Sequence, residues 1–319
     1  MEHGLRALLP NNVEVRSGPG CPVCVTSPDE IRAAIELCKQ PETVVTTFGD
    51  MLRVPSTLGS LADARAEGGK IRVIYSIHDA IELAQQDPSK QFVHFAIGFE
   101  TTAPATAIEL VKGAPENFSV ISSHRLIPPA MEHLLNAGEV KIDGFICPGH
   151  VSTIIGVEPY QPIAAQHKVP LVIAGFEPID ILIAVAMILG QIDRGETRVE
   201  NEYTRAVRSS GNVNAKKVMR DAFDVADSDW RGIGTIENSA YLLKDRYSEY
   251  DAFSKFHLQH EKTYEVPTGC RCGELLRGLI YPDQCPLFCE ACTIFHPVGP
   301  CMVSREGACY VMARFGKSS

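Results

Sequence analysis

Cysteines are the residues of this chain whose number and spacing point most clearly to chemistry. The 319-residue sequence contains eleven of them, and seven lie between Cys270 and Cys309. Cysteine thiolates bind zinc and iron–sulfur clusters, and reduced thiols in a cell more often serve metal or redox chemistry than a disulfide frame. The carboxyl-terminal segment is therefore expected to hold a metal centre.

Two kinds of metal centre compete for this segment. A zinc ribbon requires two Cys-x-x-Cys knuckles, and only Cys289 and Cys292 have that spacing here. A [4Fe–4S] cluster accepts wider, uneven spacing because each iron corner takes one thiolate. The predicted ligands are separated by 12, 6 and 16 residues: Cys272, Cys285, Cys292 and Cys309. Spacing alone favours the cluster over zinc by a small margin, and it leaves three extra thiols: Cys270, Cys289 and Cys301.

A second cysteine motif, Gly-Pro-Gly-Cys-Pro-Val-Cys, occupies residues 18–24. Cys21 and Cys24 have the spacing of a dithiol/disulfide couple, and the start of a neighbouring helix favours the thiolate form. No second knuckle lies nearby, so a redox pair is favoured over half of a zinc site. Cys38 and Cys147 are expected to be core thiols.

Polar residues that follow the predicted strands are candidates for a cleft. In open α/β sheets, ligands bind outside the carboxyl ends of the strands. The residues in such places are Asp50, Glu100, Thr101, Thr102, His150 and Glu177. Any one of them could serve only as a helix cap or turn residue. Together they predict a polar cleft that faces the Cys21–Cys24 pair.

Alternating apolar runs and helical patterns predict the elements that position these groups. Strands are predicted at residues 44–48, 71–75, 92–97, 119–122, 144–147 and 171–174. Ser27 and Glu30 form a capping box for one helix, and Ser76 and Pro104 open two more. Strands that alternate with helices predict parallel sheets. Gly-Phe-Glu occurs after a strand at both 98–100 and 175–177, which favours two α/β halves of similar build.

Length and charge limit the remaining possibilities. The length predicts two or three domains, with a boundary at residues 267–269. A net charge of −9 argues against nucleic acid or an anionic membrane as the main partner. The first ten residues do not have the pattern of a signal peptide. The most apolar run, residues 179–189, is too short to cross a bilayer and predicts a buried helix. We therefore expect a cytoplasmic protein.

Eight short blocks, taken in order, carry a resemblance that covers nearly the whole chain. Five precede the tail: Gly-Pro-Gly-Cys-Pro-Val-Cys at 18–24, Thr-Phe-Gly-Asp at 47–50 with Arg-Val-Pro at 53–55, Gly-Phe-Glu-Thr-Thr at 98–102, Pro-Gly-His-Val-Ser at 148–152 and Gly-Phe-Glu-Pro at 175–178. Three lie in the tail: Arg-Cys-Gly-Glu at 271–274, Gln-Cys-Pro-Leu-Phe at 284–288 and Glu-Gly-Ala-Cys at 306–309. They resemble the signature blocks of the HypD family of [NiFe]-hydrogenase maturation factors.

The resemblance implies an α/β fold with two Rossmann-like parallel-sheet domains and a small C-terminal iron–sulfur domain. We place these domains at residues 1–90, 91–260 and 261–319. The resemblance also implies a scaffold, rather than a conventional turnover enzyme, for the iron centre that receives two cyanides and one carbon monoxide. Its implied partners are a HypC-type small chaperone and a HypE-type cyanide donor, with the hydrogenase large subunit served indirectly.

By motif, the implied site has two parts. The [4Fe–4S] ligands are Cys272, Cys285, Cys292 and Cys309, and the redox pair is Cys21 with Cys24. Cluster and pair would pass electrons toward the transient iron while its cyanide and carbon monoxide ligands are attached. Two other functions stay open: a disulfide reductase of the ferredoxin–thioredoxin reductase kind, and a zinc-stabilised interaction protein.

The sequence departs from the family pattern at two places. The family carries a Cys-Gly-Gly-His-Thr-His-like block upstream of the segment that matches residues 4–10, and this sequence begins after that block. The cysteine of that block is the family's expected iron ligand, so iron binding by this chain is expected to be impaired while the cluster module stays intact. Ser56 stands where the family has a glycine after Arg-Val-Pro.

Overall fold

Two parallel sheets and an antiparallel hairpin form the framework of the protein. The computed structural model describes residues 5–260 and 268–316, apart from the side chains of Arg6 and Ala7. The strands are β1 (Thr43–Thr47), β2 (Ile71–Val73), β3 (Gln91–Gly98), β4 (Phe118–His124), β5 (Phe145–Pro148), β6 (Leu171–Ala174), β7 (Val199–Asn201), β8 (Phe223–Trp230) and β9 (Gly234–Leu243). All six predicted strands form, each within two residues of its predicted bounds.

Helices connect the strands and cover the sheets. They are α1 (Leu5–Leu8), α2 (Pro22–Val25), α3 (Pro28–Cys38), α4 (Leu61–Ala66), α5 (Ile77–Gln86), α6 (Ala103–Lys112), α7 (Ile127–Ala137), α8 (Gly149–Ile155), α9 (Gln161–His167), α10 (Pro178–Asp193), α11 (Val213–Ala222), α12 (Ala252–Lys255), α13 (Cys272–Leu276) and α14 (Ala308–Phe315). The helix starts predicted at Ser27, Ser76 and Pro104 belong to α3, α5 and α6. None of the described helices is both long and apolar enough to cross a membrane.

The first sheet has the strand order β2-β1-β3-β4, and every neighbouring pair is parallel. From β1 the chain moves to one side of the sheet, and from β3 it moves to the other. The loops after β1 and β3 therefore diverge and leave a crevice at their carboxyl ends, which is where ligands gather in such sheets. The predicted boundary near residue 90 falls between β2 and β3, which lie in this same sheet. The domain bounds as a whole stay a prediction.

The second sheet is smaller, with the parallel order β5-β6-β7. Its helix α10 contains the most apolar run of the sequence, so the predicted helix is confirmed. The expected full burial is wrong, because Ile179 is 60% exposed and Ile183 is 40% exposed. Only one face of α10 packs on β6, through residues such as Ala184.

The hairpin of β8 and β9 was not predicted from the sequence. It lies beside β4: Leu126 donates from its amide nitrogen to Ser239 O at 2.9 Å, and Ser122 Oγ donates to Tyr241 O at 2.6 Å. Trp230, at the end of β8, is fully buried and stacks on Phe99 with ring centroids 6.1 Å apart. Such a pair contributes about 0.5–1.5 kcal/mol beyond its buried area.

One hydrophobic core runs through most of the molecule. It joins α2, α3, the two sheets and the hairpin, and it includes Cys272, Leu275 and Cys301 of the tail. The tail, residues 268–316, has little regular structure besides α13 and α14. Leu275, Leu276 and Val303 of the tail pack into the core that the tail shares with the body.

Candidate functional site

The Cys21–Cys24 pair forms a disulfide in the structure, with the two Cα atoms 5.3 Å apart. The pair closes the start of the short helix α2, where Pro22 takes the first helical position and supplies a suitable backbone angle. Cys21 Sγ also accepts a hydrogen bond from the Cys24 amide at 3.2 Å. Both cysteines are buried. Their use as a redox pair stays a prediction.

A buried ion pair holds the segment that carries this disulfide. Glu30 caps α3 by accepting a hydrogen bond from the Ser27 amide at 3.2 Å. The same carboxylate accepts two bonds of 2.9 Å from the guanidinium of Arg125, which follows β4 and is 2% exposed. Ser123 Oγ donates a fourth bond to it at 2.6 Å. The start of α3 is thereby fixed to the carboxyl end of β4, close to the crevice of the first sheet.

The tail meets the disulfide directly. Cys24 Sγ lies 3.9 Å from Pro300 O, at the start of a 3-10 turn formed by Pro300–Met302. The middle residue of that turn, Cys301, lines a cavity inside the tail. The turn therefore has the disulfide on one side and the tail cavity on the other.

Six of the seven tail cysteines line that one cavity. They are Cys270, Cys272, Cys285, Cys292, Cys301 and Cys309. All four predicted ligands are among them, and so are two of the thiols expected to be extra. Cys289 is exposed and lies outside this lining. The structure gathers the predicted ligands but also offers Cys270 and Cys301, so the choice of four ligands stays a prediction.

The protonation of these thiols indicates what the cavity can hold. The hydrogen bond with Cys272 and then burial raise the pKa of Cys270. Burial, followed by the neighbouring thiols, raises the pKa of Cys309. Thiolates this close repel each other, so several can ionise together only around compensating cations. A polynuclear iron centre supplies such cations, and the donor set fits it. In residues 5–260 and 268–316, no three His, Cys, Asp or Glu side chains are grouped to hold a single ion.

Three polar residues from different parts of the chain influence each other electrostatically. Asp50, exposed after β1, accepts a hydrogen bond from Ser304 Oγ of the tail at 3.1 Å. Burial raises the pKa of Glu306, the Asp50 carboxylate raises it further, and His150 opposes both. Asp50 and His150 were predicted for the cleft. Glu306 was not, although it stands three residues before Cys309.

His150 and Glu177 lie at the same edge of the second sheet. The His150 ring packs on Phe176, with centroids 4.2 Å apart, and both side chains are exposed. Glu177 is exposed as the residue before α10, and its amide donates to Asp180 Oδ2 at 3.3 Å. The carboxyl ends of β5 and β6 therefore present an aromatic and polar surface.

The loop after β3 contributes differently from the other cleft candidates. Glu100 is buried: its Oε1 accepts from the Ile127 amide at 3.1 Å, while Oε2 has no hydrogen-bond partner among the described residues. Burial raises the pKa of Glu100 to about 7. Thr102 donates to Ile97 O at 3.1 Å and shapes the loop, and Thr101 is exposed. Glu100 thus lies within the protein, whereas Asp50, His150 and Glu177 lie at its surface.

Two parallel α/β sheets, a buried disulfide and a cysteine-lined tail cavity are the features that the resemblance implied for a hydrogenase maturation factor. The family described as "HypD: Hydrogenase formation hypA family" matches residues 1–316. This chain belongs to the HypD family, and the role of that family is in hydrogenase maturation.

Curated relatives agree over nearly the full chain. The hydrogenase maturation factor HypD of Azotobacter vinelandii is 44% identical over 325 residues, covering 99% of this chain and 86% of the relative. That of Cupriavidus necator is 41% identical, with coverage of 99% and 86%. That of Escherichia coli K12 is 43% identical over 310 residues, with coverage of 96% and 83%.

Proposed function

We propose that this chain is a scaffold on which the Fe(CN)2CO centre of [NiFe]-hydrogenases is assembled, with a [4Fe–4S] cluster in its tail and a redox-active Cys21–Cys24 pair. The observation that carries the proposal is the contact between Cys24 and Pro300, because it brings the disulfide to within one residue of a cavity lined by six thiols. Thiol pairs next to cysteine-held metal centres are suited to exchange electrons.

The tail cysteines would hold the cluster, and the predicted set is Cys272, Cys285, Cys292 and Cys309. When bound, a [4Fe–4S] cluster supplies electrons one at a time. The disulfide takes up two electrons and two protons when its sulfur–sulfur bond breaks, and it becomes the thiols of Cys21 and Cys24. Reoxidation of that pair returns both electrons and both protons. Burial of the pair excludes water and competing thiols from the two sulfurs.

The iron that carries cyanide and carbon monoxide is the cargo of this reaction. Asp50, His150 and Glu306 are polar groups from the first sheet, the second sheet and the tail that influence one another, although the described residues do not group them closely enough to hold one ion. We propose that the cargo is received beside this group.

The proposed partners are a HypC-type small chaperone and a HypE-type cyanide donor, with the hydrogenase large subunit receiving the cargo indirectly. Exposed apolar side chains beside His150 support a protein partner at this edge: Phe176 and Ile179 are each 60% exposed. We place the protein in the cytoplasm, where the tail cysteines would not be oxidised to disulfides and would remain available to bind the proposed cluster.

A disulfide reductase acting on other proteins is the second candidate, since it would also join a cluster to a thiol pair. Its substrate disulfide has to reach a cysteine sulfur. Cys21 is 4% exposed and Cys24 is 0% exposed, so a protein substrate would have no access to either. The scaffold role is favoured on this ground.

Anaerobic purification tests the proposal. The visible spectrum, together with iron, acid-labile sulfide and zinc analysis, is expected to reveal about four irons and four sulfides per chain. A colourless protein with one zinc would refute the cluster. Stable complex formation with a HypC-type chaperone separates the two redox functions. Absence of that complex, combined with turnover of unrelated protein disulfides, would favour the reductase.

A further inference from the structure

The two sulfurs of the Cys21–Cys24 disulfide have different neighbours, and nothing in the proposed function distinguishes them. Cys24 Sγ is fully buried and lies 3.9 Å from Pro300 O, on the side of the tail. Cys21 Sγ accepts a hydrogen bond from the Cys24 amide at 3.2 Å, and the same amide also donates to Cys21 O at 3.0 Å. One sulfur therefore faces a hydrogen-bond acceptor, and the other faces a donor.

The two sulfurs also differ in their access to solvent. Gly20, directly before Cys21, is exposed, and a Cβ atom added to it would meet no described atom within 4 Å. Pro22, directly after Cys21, is only half-buried. The chain neighbours of Cys24 are buried on both sides. A small reactant would therefore approach the pair from the side of Cys21, whereas the tail lies on the side of Cys24.

Reduction of the disulfide turns these different neighbours into an order of acidity. Two electrons and two protons break the sulfur–sulfur bond and leave two thiols. A hydrogen bond donated to a sulfur stabilises its thiolate, whereas a carbonyl oxygen accepts a hydrogen bond only from a protonated thiol. The amide at Cys21 therefore favours loss of the Cys21 proton, and Pro300 O favours retention of the Cys24 proton. Both partners are backbone groups, so they remain when either cysteine is replaced by serine.

Cys38 shows the second of these arrangements elsewhere in the protein. Its buried thiol donates to Ile35 O at 3.2 Å. Burial raises the pKa of Cys38 to about 11. A thiol with such a pKa stays protonated near neutral pH and is a poor nucleophile. Cys38 can therefore serve as an internal reference for a buried thiol that faces a carbonyl oxygen.

We propose that Cys21 is the reactive sulfur of the reduced pair: it is the thiolate that meets a soft electrophile entering from outside the protein, while Cys24 stays the protonated thiol that faces the tail. The inference rests on the proposed redox use of the pair, and it gives each sulfur a separate task. In the reaction with iodoacetamide, the Cys21 sulfur forms a bond to carbon, the carbon–iodine bond breaks and iodide leaves, while Cys24 keeps its proton.

The test measures the alkylation of each sulfur separately. Cys24→Ser keeps only the sulfur of Cys21, and Cys21→Ser keeps only that of Cys24. Both full chains are prepared anaerobically and treated with iodoacetamide over a range of pH. Mass spectrometry of the peptide that contains residues 21–24 gives the rate constant, so the other cysteines do not interfere.

The pH at which the alkylation rate inflects reports acidity, whereas the limiting rate at high pH also reports access. We expect the inflection for Cys21 to lie at least about one pH unit below that for Cys24, which makes Cys21 at least about tenfold faster near neutral pH. The peptide that contains Cys38, measured in the same samples, is expected to follow the profile of Cys24. In reduced wild type, a limiting amount of iodoacetamide is expected to label Cys21, and fragmentation of the peptide locates the label.

An inflection for Cys24 at or below that for Cys21, or a label on Cys24 in reduced wild type, would overturn the inference. If either serine variant does not fold, the position of the label in wild type decides the question alone. A reversed order in a protein with full iron and sulfide content would leave the proposed function in place. Conversely, a chain without iron and sulfide that keeps the expected order would refute the proposed cluster and not the assignment of Cys21.

Discussion

Replacing Glu100 with glutamine tests whether a buried carboxyl in the loop after β3 stays protonated near neutral pH. In the folded protein, burial raises the pKa of this group from 4.5 to about 7. The folded state therefore binds more protons than the unfolded state between these values, and the contribution of Glu100 to stability falls as pH rises through that window. Below pH 4.5 the Glu100 carboxyl is protonated in both the folded and the unfolded protein, so it no longer lowers the free energy of unfolding.

The magnitude follows from the shift. Each pKa unit corresponds to about 1.4 kcal/mol. The difference between the folded and unfolded pKa values of Glu100 therefore lowers the free energy of unfolding by about 3 kcal/mol at pH 8 and by about 1 kcal/mol at pH 5. Glutamine is neutral at both values and can still accept the hydrogen bond of the Ile127 amide. We expect Glu100→Gln to be more stable than wild type at pH 8, with most of the gain lost at pH 5.

The assay is anaerobic guanidinium unfolding of wild type and variant at pH 5 and pH 8, with equal metal content. Taking the difference between the two proteins cancels every other titrating group. Glu177→Gln is the control, because Glu177 is an exposed residue in the corresponding loop of the second sheet. The same stability difference at both pH values, or a variant that is less stable at pH 8, would show that Glu100 is not a protonated carboxyl.

Three further predictions concern the thiols and the core. Cys24→Ser should abolish hydrogenase maturation in a complementation assay while iron and sulfide content stay at the wild-type level, and full maturation would remove the pair from the mechanism. Cys272→Ser should lose the cluster by iron analysis while Cys270→Ser keeps it, and the reverse result would exchange the two thiols as ligands. Burial lowers the pKa of His94 to about 4, below the usual 6.5, so stability should fall as pH drops from about 6.5. Between pH 7.5 and pH 5, the free energy of unfolding of His94→Gln should therefore fall by about 2 kcal/mol less than that of wild type. An equal fall in both proteins would show that the imidazole already ionises in the folded state.

Periodicity was sufficient to predict six of the seven described strands of the two parallel sheets, because buried parallel strands are short and largely apolar. It missed β7, Val199–Asn201, which has only three residues. It failed for β8, whose sequence Phe-Asp-Val-Ala-Asp-Ser-Asp-Trp has three acidic residues and only Phe223 and Trp230 buried. A hairpin with one solvent-exposed face shows little hydrophobic periodicity when its buried apolar residues lie only at the ends of a strand. The burial of α10 was overestimated because the apolar composition of a helix does not reveal which of its faces pack against other elements.

For the candidate site too, the sequence predicted the features that depend on local spacing and missed those that depend on contacts between distant residues. Cysteine spacing predicted that the four ligand candidates would gather, and the structure places all four around one cavity. Spacing could not separate Cys270 from Cys272, which are two residues apart and line the same cavity. Glu306 was missed because its interaction with Asp50 and His150 joins residues that are far apart in sequence, and no local pattern marks such an interaction.

The continuous core has a consequence for how this protein is made in the cell. Because Leu275 and Cys301 of the tail pack with the body, translation of the last fifty or so residues completes a core that the ribosome-bound chain still lacks. If the proposed cluster binds there, its delivery is a late event on which the folding of the whole polypeptide depends. Iron starvation is then expected to lower the cellular amount of the entire protein, because proteases would degrade the whole chain and not only its tail.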